Sequence, residues 1–138
     1  VLSAMPGLGA AGGLALGLVS RYGAELVPGA QLVSEAIGLV AALEGAAFVI
    51  TAEGRLDPQS LDGKVVSRVL ADAGPCTPVF VIAGEVALTA AESRAAGIAA
   101  AVSIARGPAS LEQLRSETPR LLAEAAAVLS GAILAATP

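Results

Sequence analysis

The chain has 138 residues, with 8 basic and 12 acidic side chains and a formal net charge of −4, which fits one domain and argues against a nucleic-acid binder, whose footprint is basic. Hydrophobic residues make up 55% and charged ones only 14%, so the composition excludes intrinsic disorder. Histidine and tryptophan are absent and aromatics amount to 2%; this removes Ser-His-Asp and Cys-His nucleophiles, His-based metal sites and stacking platforms for bases.

From Val1 to Ser20 there is no charge, and the mean hydropathy of the chain is +0.77. That length suits a membrane span, and Gly9, Gly13 and Gly17 repeat a small-xxx-small pattern. Pro6 interrupts the run, however, and Gly and Ala drive insertion weakly. No basic cluster precedes it, so a secretory signal is not expected either. The expectation is a soluble cytoplasmic protein without a membrane partner. Within Pro6-Gly7-Leu8-Gly9-Ala10-Ala11-Gly12-Gly13, the glycines Gly7, Gly9 and Gly12 have the spacing of a dinucleotide fingerprint. Bare backbone N–H groups at a helix start suit a phosphate or a carboxylate. The preceding strand would be confined to Val1–Met5, and the acidic residue further on would be Glu25 or Glu35. Close helix packing through glycine is the plain alternative. A helix is then predicted over residues 31–43, with Leu32, Val33, Ala36, Ile37, Val40 and Leu43 on one face.

Three apolar runs follow: Ala47–Thr51, Val79–Ala83 and Ala99–Ile104. They are continuous, not alternating, which predicts parallel strands covered on both faces. Between the first two, Lys64–Ala73 places Val65, Val66, Val69, Leu70 and Ala73 on one helical stripe. The lone cysteine, Cys76, lies in Gly74-Pro75-Cys76-Thr77-Pro78 and reads as a buried or incidental thiol in a turn. Thr89–Ala96 is a short helix that Gly97 can end. Ser110 caps a helix starting at Leu111, with Gln113 as capping-box partner. Pro119 marks a kink or a new first turn, and Arg120–Ala136 continues as an Ala-rich helix. Strands alternating with helices predict an α/β fold with right-handed crossovers. Three strands are a thin sheet for this much apolar surface, and Val1-Leu2-Ser3-Ala4 runs straight into a glycine-rich turn. Both predict upstream residues or another chain that covers the sheet.

Chemistry is expected where the first strand ends, because ligands of open α/β sheets sit outside the carboxyl ends of the strands. Thr51-Ala52-Glu53-Gly54-Arg55-Leu56-Asp57-Pro58-Gln59-Ser60 reads as a loop there, and it packs Glu53, Arg55, Asp57 and Gln59 into a charge-poor chain. Asp62, Gly63 and Lys64 follow, and Lys64 is the only lysine. A lysine at a helix start opposes the helix dipole; a phosphate or carboxylate partner would account for it, and so would a solvated polar loop. The P-loop pattern is absent. In Ala83-Gly84-Glu85, Gly84 would let a ligand or a neighbouring loop approach closely.

These blocks, in this order, resemble the bacterial glycerate kinase family of the first type. The resemblance rests on Pro6–Leu14, on Val49–Ser60 running into Gly63-Lys64, and on Val81–Gly84 with the later Ser103-Ile104 and Pro108–Leu111. Ala52 and Ser60 stand where the family usually has Gly and Thr, and Glu85 where it often has Ser. The chain looks like the C-terminal part of much longer members, without their Asp-Ser-Phe-Lys-Gly-type motif. The resemblance implies an α/β fold with part of a Rossmann-like three-layer parallel sheet. Residues 1–40 would be the return segment of an inserted helical domain, and residues 41–138 the C-terminal part of the Rossmann-like domain. It implies phosphorylation of D-glycerate by ATP, at the 2-hydroxyl, with Mg2+ carrying the nucleotide. Asp57 would orient or deprotonate the attacking hydroxyl, and Arg55 and Lys64 would neutralise carboxylate or phosphate charge. Glu53 would bind a hydroxyl or the metal. Gly7, Gly9, Gly12 and Gly13 would hold an anion, and Gly54, Gln59, Ser60 and Gly84 would complete the binding surface. An upstream segment or a second copy of the chain would complete the enzyme. The alternative is a non-catalytic module that pairs with another chain or binds a small anion.

Overall fold

A computed structural model describes residues 7–136; the strand expected at Val1–Met5 lies outside them. A 3-10 turn at Ala10–Gly13 leads into α1 (Leu14–Tyr22), followed by α2 (Gly29–Ala36) and α3 (Leu39–Leu43). The remainder alternates: β1 (Val49–Leu56), a 3-10 turn at Pro58–Leu61, α4 (Val65–Ala73), β2 (Val79–Val86), α5 (Ala90–Ala95), β3 (Ile98–Ser103) and α6 (Leu111–Ala136). The strands form one parallel sheet in the order β1-β2-β3. Its register runs from Val49↔Val79 to Leu56↔Val86 on one side of β2, and from Val79↔Ile98 to Ala83↔Ser103 on the other. Parallel pairing requires crossover connections, which α4 and α5 provide.

Two apolar clusters make this a three-layer α/β arrangement. On one face Leu56, Val81, Ala83 and Ile98 pack with Val66 of α4 and Leu88. On the other, Ile82 and Ile104 pack with Ala125 and Leu129 of α6. The expectation of strands covered on both faces holds for β2, whose Val79, Val81, Ile82 and Ala83 are buried. It fails for β1, where Ile50 is 39% exposed and Phe48, just before the strand, is 38% exposed. Here β1 is the edge of the sheet, so an apolar run does not ensure cover.

Other boundaries also differ from the sequence reading. The segment read as a loop after Thr51 is strand as far as Leu56, because backbone pairing with β2 continues through Glu53↔Ala83 and Arg55↔Glu85. The helix expected over residues 31–43 is two, divided at Gly38, which adopts φ +68° in the left-handed region. The helix after Ser110 passes Pro119 without ending, although proline cannot donate to the carbonyl one turn back. Cys76 is exposed, which removes the buried alternative and leaves the incidental thiol.

The cap predicted at Ser110 forms, and the structure adds another at Thr89. Ser110 N–H donates to Gln113 Oε1 at 2.8 Å, and Gln113 N–H donates to Ser110 Oγ at 3.2 Å. At α5, the Thr89 backbone N–H and hydroxyl both donate to Glu92 Oε2 at 2.7 Å. The backbone bond, followed by the hydroxyl bond, holds the Glu92 carboxyl below its ordinary range. A lowered acid stabilises the fold above its unfolded-state value and loses that contribution as pH falls through the folded value. Glu92→Gln should therefore lose less stability than the parent on acidification below about pH 4, measured by urea unfolding at stepped pH. Equal pH slopes for the two proteins would refute this role.

Candidate functional site

The site is built where β1 runs out. Glu53 and Arg55 lie on the strand, and Asp57 begins the turn that follows. Asp57 Oδ1 accepts from the backbone N–H groups of Gln59 at 2.9 Å and Ser60 at 3.3 Å. Ser60 Oγ accepts from Asp57 N–H at 3.2 Å and donates to the Arg55 carbonyl at 3.0 Å. Ser60 is fully buried. Its hydroxyl is therefore used inside the turn and not on a binding surface, and Asp57 works first as an N-cap. Gln59 is exposed and reaches Asp57 only through its backbone.

The parallel register sets Arg55 beside Glu85, with Arg55 Nη1 3.0 Å from Glu85 Oε2. Arg55 Nε also lies 3.5 Å from Asp57 Oδ2. Arg55 thus bridges two carboxylates at the carboxyl ends of adjacent strands. Gly84 meets the need expected of it, but the neighbour is β1: a Cβ there would stand 2.5 Å from the Gly54 carbonyl oxygen.

Two clefts open around these residues. One, of about 560 Å³, lies at the strand ends beneath the first turns of α6; Glu53, Gly54, Gly84, Glu85, Arg115 and Thr118 are among its walls. The other, of about 740 Å³, lies between α2 and α4 and is lined by Glu53, Lys64, Arg68, Ser34, Val33 and Ile37 among others. Ala52 and Glu53 belong to both. Glu53 Oε2 is buried and has no hydrogen-bond partner. Lys64 occupies the N-cap position of α4, which has no side-chain cap bond. Two residues of the second cleft's wall, Ser34 and Arg68, share a partner: Asp72 Oδ2 accepts from Ser34 Oγ at 2.6 Å and from Arg68 Nε at 2.8 Å, and Asp72 Oδ1 pairs with Arg68 Nη2.

The fold brings Glu53, Gly54, Gly84 and Lys64 onto cleft walls and ties Arg55 to Asp57. It does not bring the glycine turn to them. None of Gly7, Gly9, Gly12 and Gly13 lines either cleft; Gly7 borders a separate hollow with Leu14, Leu18 and Leu26. Gly7, Gly12 and Gly13 have φ of +90°, +68° and +85°, so their glycine identity is explained by the turn itself. Arg115 and Thr118 were not singled out from the sequence, because their approach to β1 depends on where α6 docks. One signal was available: Arg115, like Lys64, is a cation near a helix start.

Compared with known proteins, residues 1–134 match the profile of the glycerate kinase family. An uncharacterised protein of Mycobacterium bovis is 46% identical over 105 residues, which is 75% of this chain and 27% of that protein. A glycerate kinase of Halalkalibacterium halodurans is 37% identical over 128 residues, or 91% of this chain and 33% of that protein. A glycerate 2-kinase of Escherichia coli is 46% identical over 61 residues, or 44% of this chain and 16% of that protein. The chain spans about a third or less of the length of these relatives.

Proposed function

Because this chain belongs to the glycerate kinase family, we propose that it forms the C-terminal part of a cytoplasmic kinase that transfers the γ-phosphoryl group of ATP to D-glycerate, at the 2-hydroxyl. The observation that carries the reading is the pair of clefts that share Glu53 at the end of β1. A phosphoryl donor and its acceptor must meet within bonding reach, and two adjoining clefts with a carboxylate at their junction would allow that. Phosphoryl transfer rests on positioning and charge stabilisation more than on covalent help.

Lys64 is the residue best suited to an incoming carboxylate or phosphate oxygen, since it makes no ion pair among the described residues. Arg55 contributes charge too, but divides it between Asp57 and Glu85. Asp57 fixes the turn and keeps Arg55 in place, with one oxygen turned toward that guanidinium. The unpartnered Glu53 oxygen fits one inner contact to either a hydroxyl or Mg2+, an ion that takes one or two carboxylates and leaves the rest to waters and phosphates. Bound Mg2+ would supply neutralisation of phosphate charge.

The test is ATP-dependent glycerate phosphorylation by this chain alone and by a complete polypeptide that carries it. Lys64→Ala in the active form should lower kcat/KM by roughly 10- to 100-fold, the value of one charge-assisted contact. A change within about threefold would remove Lys64 from the site. The second reading, a module that pairs with another chain, is favoured by the exposed Phe48 and Ile50 at the start of β1 and Leu32, Val33 and Ile37 on and just after α2. Absence of turnover in every form, together with stable association with a second polypeptide, would select it.

A further inference from the structure

We propose that Glu53, and not Asp57, receives the proton of the acceptor hydroxyl; this rests on the kinase reading above. The two carboxylates differ in what they already hold. Asp57 Oδ1 accepts two backbone N–H groups of the turn, and Oδ2 faces Arg55 at 3.5 Å. Moving Oδ1 to a substrate would open the turn that ends β1, and moving Oδ2 would take it from the Arg55 guanidinium. Glu53 Oε2 is buried with no donor. A buried acceptor left without a donor is destabilised relative to one that has found it, so the site is improved by whatever hydroxyl is presented there. Rotation about the last torsion of a glutamate side chain is soft, which lets either oxygen turn to the cleft surface.

Position supports the same assignment. Glu53 is opposite Ala83, on the strand and not on the turn beyond it. It is the one charged residue common to the walls of both clefts. An acceptor in one cleft and a phosphoryl donor in the other would meet at this residue. In the step, the acceptor hydroxyl oxygen bonds to the γ-phosphorus. The bond from that phosphorus to the oxygen bridging to the β-phosphorus breaks, and ADP leaves with the electron pair. The hydroxyl proton passes to a Glu53 carboxylate oxygen and is later released to water.

The experiment compares Glu53→Gln and Asp57→Asn in the form that turns over ATP and D-glycerate, with kcat measured against pH and folding measured by thermal denaturation. Glu53→Gln should lower kcat about 100-fold, within the usual range for a general base, with Tm unchanged and the acidic limb of the kcat profile abolished. Asp57→Asn, whose amide oxygen can still accept the two turn N–H groups, should keep Tm close to the parent's and retain that limb. Retention of the limb in Glu53→Gln, or its loss only in Asp57→Asn, overturns the proposal while leaving the kinase reading intact. Recovery of Glu53→Gln turnover at raised Mg2+ overturns it as well and makes Glu53 a metal ligand. If the parent protein transfers no phosphoryl group to glycerate, the kinase reading falls and this assignment falls with it.

Discussion

Gly84→Ala is expected to destabilise the fold by about 3 kcal/mol, the upper part of the range for overpacking, and to lower Tm by about 10 °C for a domain of this size. The added Cβ would stand 2.5 Å from the Gly54 carbonyl oxygen and 3.5 Å from its carbon. These are backbone atoms of the paired strand, so no side-chain rotation relieves the clash. The strands must separate where Glu53↔Ala83 and Arg55↔Glu85 flank the contact, and the Arg55–Glu85 pair should be disturbed too. Gly54→Ala is the matched control. A Cβ at Gly54 meets nothing within 4 Å, and its φ lies outside the left-handed region. Its stability should stay within about 0.5 kcal/mol of the parent. Yet Gly54 lines the strand-end cleft, so the added methyl should narrow it and raise the KM of the substrate bound there. Guanidinium unfolding and steady-state kinetics on the two variants check both halves. Equal stability of Gly84→Ala and Gly54→Ala would show that the strands part without strain.

The same stretch shows what was legible in the sequence. The apolar centres of all three strands were readable as continuous runs, and so was the cap at Ser110, because each depends on local chemistry; the matching cap at Thr89 was not read, since Thr89 was placed inside the helix it precedes. The extent of β1 was not. Glu53, Gly54 and Arg55 carry charge or lack a side chain, and they looked like a loop. They are strand because β2 extends alongside as far as Val86 and because the outer side of β1 is open, where charge is tolerated. That charged residues gather past the centre of β1 was legible, but which of them are already held by neighbours was not. That Ser60 is consumed within the turn, that Arg55 is shared between two acids, and that Glu53 is left without a donor are facts of register and packing. Arg115 reaches the cleft only through the docking of α6. Ser34 and Asp72, 38 residues apart, meet only because α2 packs against α4.

That last contact carries the second large effect. Asp72 has a side chain only 1% exposed, and it satisfies Ser34 Oγ and two guanidinium nitrogens of Arg68. Removing one partner of a buried ion pair costs about 3–5 kcal/mol, chiefly because the other charge is stranded. The two ends are not equivalent. Arg68 is 30% exposed, so after Asp72→Ala its guanidinium can turn toward water, and the cost should fall to about 2–3 kcal/mol, below that range. After Arg68→Ala the Asp72 carboxylate stays enclosed, and the cost should reach about 4 kcal/mol. Ser34→Ala, which removes one donor and leaves the pair, should cost about 1–2 kcal/mol. Replacing both charges, as in Arg68→Met with Asp72→Leu, should restore much of the loss, since well-packed apolar groups often equal a buried ion pair. Urea unfolding of these four variants gives the ranking. If Arg68→Ala is no worse than Asp72→Ala, the pair is hydrated and contributes little to joining α2 to α4. Because Ser34, Arg68 and Lys64 line one cleft, loosening that junction should also weaken anion binding at Lys64, most of all in the Arg68→Ala variant.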